Sequence, residues 1–191
     1  MKIGRVLAVT AVTGLMLTAL PVAAHADDVT RSGSYTVSSS KTIDGDLIVS
    51  GGSVTINGTV KGNVRQKGGG SVTVGKKGTV EGNLVESGTG NVLVYGTVEG
   101  NVEEYGNGSV TVYSIGLVDG NIYEKGAGNV SVRGSVEGNV EEYSTGHVRL
   151  YGTARVDGNV TERKAGNLYV TRGAQVEGDI SETGSGKRVN R

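Results

Sequence analysis

The chain has 191 residues and no net charge, with 34 glycines, one proline and no cysteine, tryptophan or phenylalanine. Without cysteine there is no zinc–thiolate centre, disulfide scaffold or thiol enzyme, and without proline and a three-residue glycine period there is no collagen. A neutral chain also lacks the positive excess that nucleic acid binding requires, so no nucleic acid partner is expected.

Residues 1–26 read as a secretory signal peptide. Lys2 and Arg5 precede an apolar stretch from Val6 to Leu20, Pro21 breaks it, and Ala24-His25-Ala26 supplies a small-residue cleavage site. The apolar run is short for a membrane span. The expectation is a chain cleaved after Ala26, secreted or held in the cell envelope, with no later membrane span. His147 would then be its only histidine, and one imidazole makes neither a triad nor a metal site.

A repeat fills the rest. The pattern V-x-G-N-V, with small variations, begins at Ile43, Val60, Val80, Val98, Val118, Val136, Val156 and Val176, at spacings of 17, 20, 18, 20, 18, 20 and 20 residues. With the first residue as slot 0, slots 4, 12 and 14 are aliphatic in nearly every unit, slot 2 is Gly throughout, and slot 3 is Asn or Asp. Apolar residues two and four apart with polar residues between them mean strand, and frequent Gly forbids helix. Each unit reads as two short strands joined by glycine-rich corners. So small a unit cannot bury its own apolar face and must stack on its neighbours.

The expected fold is therefore all-β: a single-stranded β-helix, or β-solenoid, of about eight coils of 17–20 residues. Residues 27–42 form a cap and an incomplete first coil, 43–186 the repeats, and 187–191 a basic tail. Parity agrees: Tyr95, Tyr105, Tyr113, Tyr123, Tyr143, Tyr151 and Tyr169 all fall in odd, outward slots, and only Tyr35 falls in an inward one. Coils ~4.8 Å apart give a rod on the order of 40 Å long. The alternative keeps the strands but pairs them as antiparallel hairpins turning at Gly106-Asn107-Gly108 and its equivalents.

Units such as Gly96-Thr97-Val98-Glu99-Gly100-Asn101-Val102 resemble the repeat of bactofilins, the polymer-forming bacterial cytoskeletal proteins. The halves Gly88 to Val94 and Gly126 to Val132 are similar to a bacterial adhesin β-helix family. Together the resemblances cover residues 33–186 and imply a right-handed β-helix. Bactofilins lack a cleaved signal, so the leader-like segment favours a surface role over a cytoskeletal one.

Several rows of side chains are candidates for chemistry. Slot 6 holds Glu86, Glu104, Glu124, Glu142, Glu162 and Glu182, after Gln66. Its parity is inward, but unpaired buried carboxylates are not tolerated. The strand is expected to turn outward there, giving either a calcium-binding edge or a solvated acidic edge offset by Lys67, Lys125 and Arg163. Slot 1 holds a second row, Asp44, Glu81, Glu99, Asp119, Glu137, Asp157 and Glu177, broken by Lys61. The Asn row from Asn63 to Asn159 reads as structural, through amide ladders or a left-handed backbone. Tyr95, Tyr113, Arg133 and Tyr151 share one edge, suited to a sugar or a protein partner or else scattered surface.

Gly70 to Lys76 nearly spells a phosphate-binding loop, but Lys77 replaces the Ser or Thr that holds magnesium, so it is rejected. No singular carboxylate pair marks a glycosidase, and no cofactor or catalysis is expected. At the last coil Arg188 and Asn190 replace aliphatics, which reads as a polar cap. The opposite end, with Tyr35 and Val37, is the candidate for end-to-end association into a homo-oligomer. The function expected from sequence is a secreted structural or adhesin-like solenoid. The alternative is a surface module binding carbohydrate or calcium.

Overall fold

The computed structural model describes residues 27–191, and the leader-like segment lies outside them. The described chain is built only of strands and turns. Nine strands, from Val29–Ser32 to Ile180–Glu182, form a first sheet; nine more, from Tyr35–Val37 to Arg188–Asn190, form a second; eight, from Thr42–Ile43 to Gln175–Val176, form a third. Each coil visits the sheets in turn, and each strand pairs with its equivalents in the coils before and after.

All pairings are parallel and in register: Val102 lies between Leu84 and Ile122, and Val110 between Val92 and Val130. This parallel stacking excludes antiparallel hairpins and makes the fold a β-solenoid. It corrects the strand count, because there are three strands per coil and not two. The V-x-G-N-V signature spans a corner: Thr97–Val98 belongs to the third sheet and Val102–Glu104 to the first, with Glu99-Gly100-Asn101 turning between them.

Alternation then fills the interior. Val98, Val102, Val110 and Val112 of one coil are fully buried, as are their equivalents through most of the rod. One aliphatic stack runs its length, and each fully buried side chain contributes roughly 1.5–3 kcal/mol of burial. The last coil is open, and Val170, Val176 and Ile180 are only half-buried.

Most corner glycines are needed for space and not for backbone freedom. A Cβ on Gly100 would lie 2.5 Å from the carbonyl oxygen of Gly82 in the coil below. The exceptions include Gly51 (φ 66°) and Gly52 (φ 96°). They sit in the one 17-residue unit, and Gly68 (φ 89°) and Gly70 (φ 125°) take left-handed conformations at the same corner of the next, 20-residue unit. No non-glycine residue among those described has positive φ, so the Asn row is not a left-handed device.

Candidate functional site

The slot-6 row does not turn outward. Glu86, Glu104, Glu124, Glu142 and Glu162 are 0% exposed, behind the equally buried Gln66. This corrects the expected acidic edge. Burial is possible because the turn after each Glu aims backbone N–H groups inward. Glu124 Oε1 accepts N–H from Gly126 at 2.9 Å and from Gly128 at 3.2 Å. Glu104, Glu142 and Glu162 repeat the arrangement two and four residues on, while Glu86 divides the two bonds between its oxygens.

The other oxygen, Oε2, of Glu104, Glu124, Glu142 and Glu162 is buried without a donor, and so is Gln66 Oε1. Burial first, then hydrogen bonding with the Glu104 carboxyl, pushes Glu86 up to about 7. Glu124 rises to about 9, from burial and then from the Glu104 and Glu142 carboxyls on either side. Glu162 is also raised, mainly by burial. Glu182, on the last coil, is half-buried. Among the described residues no three or more His, Asp or Glu side chains are grouped to hold a metal ion.

At the corner between the third and first sheets, the Asn row forms a continuous ladder. Oδ1 of each residue accepts the backbone N–H of its equivalent one coil on: Asp46 from Asn63 at 2.7 Å, Asn101 from Asn121 at 2.8 Å, Asn159 from Asp179 at 2.7 Å. Partial burial would raise the Asp46 carboxyl. Hydrogen bonds from Asn63 and Arg65, with the Arg65 charge, outweigh it and hold Asp46 below its ordinary value. Of the neighbouring slot-1 carboxylates, Asp119 is half-buried, with Oδ1 lacking a donor, and the others are exposed, where Lys61 pairs with Asp44 at 2.6 Å and Arg155 bridges Asp157 and Glu177.

The tyrosine edge divides into two pairs. Tyr95 and Tyr113 stack with ring centroids 3.9 Å apart, and the Arg133 guanidinium lies 3.7 Å from the centre of the Tyr151 ring. A second aromatic cluster, which the sequence pattern did not single out, lies where the chain leaves the first sheet. Lys125 reaches Glu103 at 2.9 Å and the Tyr105 hydroxyl at 2.8 Å, and Arg163 caps Tyr143 and pairs with Glu141.

The near phosphate loop resolves into strand Val72–Val74 and a turn at Lys76-Lys77. That turn borders a shallow notch of about 530 Å³ with Ser38, Ser39 and Asn57.

The rod's ends differ. At the first coil Val37 is fully buried, while Tyr35 is half-buried, with its hydroxyl accepting a hydrogen bond from Lys41 Nζ at 2.7 Å. Of the two candidate contact residues, only Tyr35 reaches the surface. At the last coil Arg188 and Asn190 are exposed and pair with Leu168 and Val170. This polar cap covers the second sheet alone, and Val176 and Ile180 keep the ends of the third and first sheets apolar.

Three in-register parallel sheets around one aliphatic core, with every coil alike, define a stacking β-solenoid. The family model described as bactofilin, polymer-forming cytoskeletal, matches residues 35–126 and 85–181. The chain belongs to the bactofilin family. No curated protein and no solved structure matches it. The family overturns the expected secreted adhesin at the cell surface and its carbohydrate- or calcium-binding alternative, because its description is of a cytoskeletal polymer former. The leader-like pattern in residues 1–26 misdirected that expectation. Self-association, by contrast, agrees with the family.

Proposed function

We propose that the chain is a structural, non-catalytic subunit that self-associates by stacking its terminal coils end to end on other copies. One observation carries this: in a member of a polymer-forming family, the final coil leaves Val176 and Ile180 half-exposed, although their equivalents in inner coils are buried. The first and last strands of each sheet also have one unpaired edge, a ready template for a further strand. A second copy docked there extends the ladders and the aliphatic stack together. Arg188 and Asn190 confine the apolar contact to two of the three sheets, and Tyr35 offers an aromatic surface at the opposite end.

Light scattering and electron microscopy of the purified full-length chain test this. Mass should grow with concentration and filaments should form. Ile180→Lys should shorten or abolish them while leaving the strand signal in circular dichroism unchanged. A monomer at every concentration would sink the proposal.

A further inference from the structure

The column of buried glutamates has no part in end-to-end stacking and asks for its own account. Five carboxyl groups lie in register inside the rod, each one coil from the next. Among the described residues no lysine, arginine or histidine side chain is buried beside them. The second and third sheets face the column with buried valine, leucine and isoleucine, and among the described residues the only buried polar side chains are these glutamates and Gln66.

The charged and titratable groups of the flanking turns all lie outside. Lys125 and Arg163 are engaged with Glu103 and Glu141, and Tyr105 and Tyr143 with the same two carboxylates. Lys67 and Lys164 are exposed. His147 uses Nδ1 to accept the backbone N–H of Asn167 at 2.8 Å. At the ends, Tyr35 bonds Lys41, Arg188 is exposed and reaches the Ile180 carbonyl at 3.4 Å, and the half-buried Glu182 lies in register on Glu162 as the one titratable group that continues the column.

The bonding within the column locates what is missing. Oε1 of Glu104, Glu124, Glu142 and Glu162 already accepts two backbone N–H groups, while Oε2 of each has no donor. Gln66, opposite Glu86 in the register, spends its Nε2 on the carbonyls of Gly52 at 3.1 Å and Gly69 at 3.3 Å, and its buried Oε1 is left without a donor. A proton on Glu86, Glu124 and Glu162 cures both defects, turning each into a donor toward an acceptor of the adjacent coil that lacks one and lowering the buried charge. Beyond Gln66 the position is filled by Val49, which neither gives nor takes a proton.

We propose that the glutamate column forms an internal proton-binding site, in which Glu86, Glu124 and Glu162 are held as neutral acids bridging to the side chains of the adjacent coils, and that emptying the site at raised pH forces the stacked coils apart by placing like charges inside the rod. Burial, followed by the neighbouring carboxyls, pushes Glu86 to about 7 and Glu124 to about 9, above an ordinary value of 4.5. A group raised in the folded state stabilises fully below its unfolded value, and that contribution is lost as the pH climbs through the folded one. The rod is therefore firmest in mild acid and softens from neutral to alkaline pH.

Thermal unfolding of the full-length chain at fixed concentration, followed by circular dichroism, tests the proposal. From about pH 5 to about pH 9 the midpoint should fall by on the order of 10 °C. In the triple variant Glu86→Gln, Glu124→Gln, Glu162→Gln, most of that fall should vanish, because Gln66 already shows that this position accepts the amide. A midpoint that stays flat or rises in the wild type, or a variant with the wild-type slope, would overturn it. If the variant does not fold, infrared spectroscopy of the wild type at neutral pH decides: a carbonyl band of protonated carboxyl groups is expected, and its absence refutes the neutral acids.

Discussion

Asn121 gives Asn101 two hydrogen bonds through one acceptor: its backbone N–H and its side-chain Nδ2 both reach Oδ1 of Asn101, at 2.8 and 3.0 Å. Its own Oδ1 accepts the backbone N–H of Asn139 at 2.8 Å. Each Asn thus ties the coil below to the coil above at a corner where the backbone ladder is interrupted.

Asn121→Ala should cost about 1–3 kcal/mol, because it strips the Asn139 N–H of its partner as well as losing the Nδ2 bond. Asn121→Asp should cost less, since it keeps an acceptor for Asn139, as Asp46 does for Asn63. Urea unfolding of the two variants should rank them in that order; equal stability to wild type in both would show the ladder to be energetically idle.

The glycines divide by position. A Cβ on Gly108 would fall into the carbonyl oxygen of Gly90, so Gly108→Ala should displace whole turns and cost more than about 4 kcal/mol. A Cβ on Gly69 meets only Thr89 Oγ1 at 3.9 Å, and its φ is ordinary. Gly69→Ala should therefore stabilise by about 0.4–1 kcal/mol through the unfolded chain. Melting temperatures moving in opposite directions are the expected result.

Repeat, strand and stacking were legible because slots 0, 4, 12 and 14 recur, and parity survives every change of unit length except the 17-residue unit, where Val54 falls one slot early. The third strand was not, because Thr97–Val98 carries a single inward residue and so shows no alternation. The glutamate column was half legible. Parity places Glu124 inside, and the rule against buried charge moves it out. That rule fails because the turn supplies two N–H groups to one oxygen and a proton removes the charge, neither of which a residue pattern displays. The terminal groups depended on packing: nothing in Tyr35 or Val37 alone says that one is covered and the other is not.

Acid should destabilise by a different route. Burial alone would raise the Glu141 carboxyl, but the Arg163 guanidinium and the Tyr143 hydroxyl outweigh it and hold it below its ordinary value. Glu103 is lowered in the same way by Lys125 and Tyr105. A depressed carboxyl stabilises above its unfolded value, and that part is lost as the pH falls through the folded one. Unfolding midpoints should therefore drop below about pH 4. Arg163→Gln should lower stability at neutral pH and shrink that acid drop; an unchanged acid limb would show the pair to be inert.

Because each coil is bonded only to the coils directly before and after it, a lengthwise pull on the rod meets its junctions one after another. Every junction bears the whole load, while inside a junction three ladders share it. Adding coils lengthens such a rod without strengthening it, and its tensile limit belongs to its least-bonded junction.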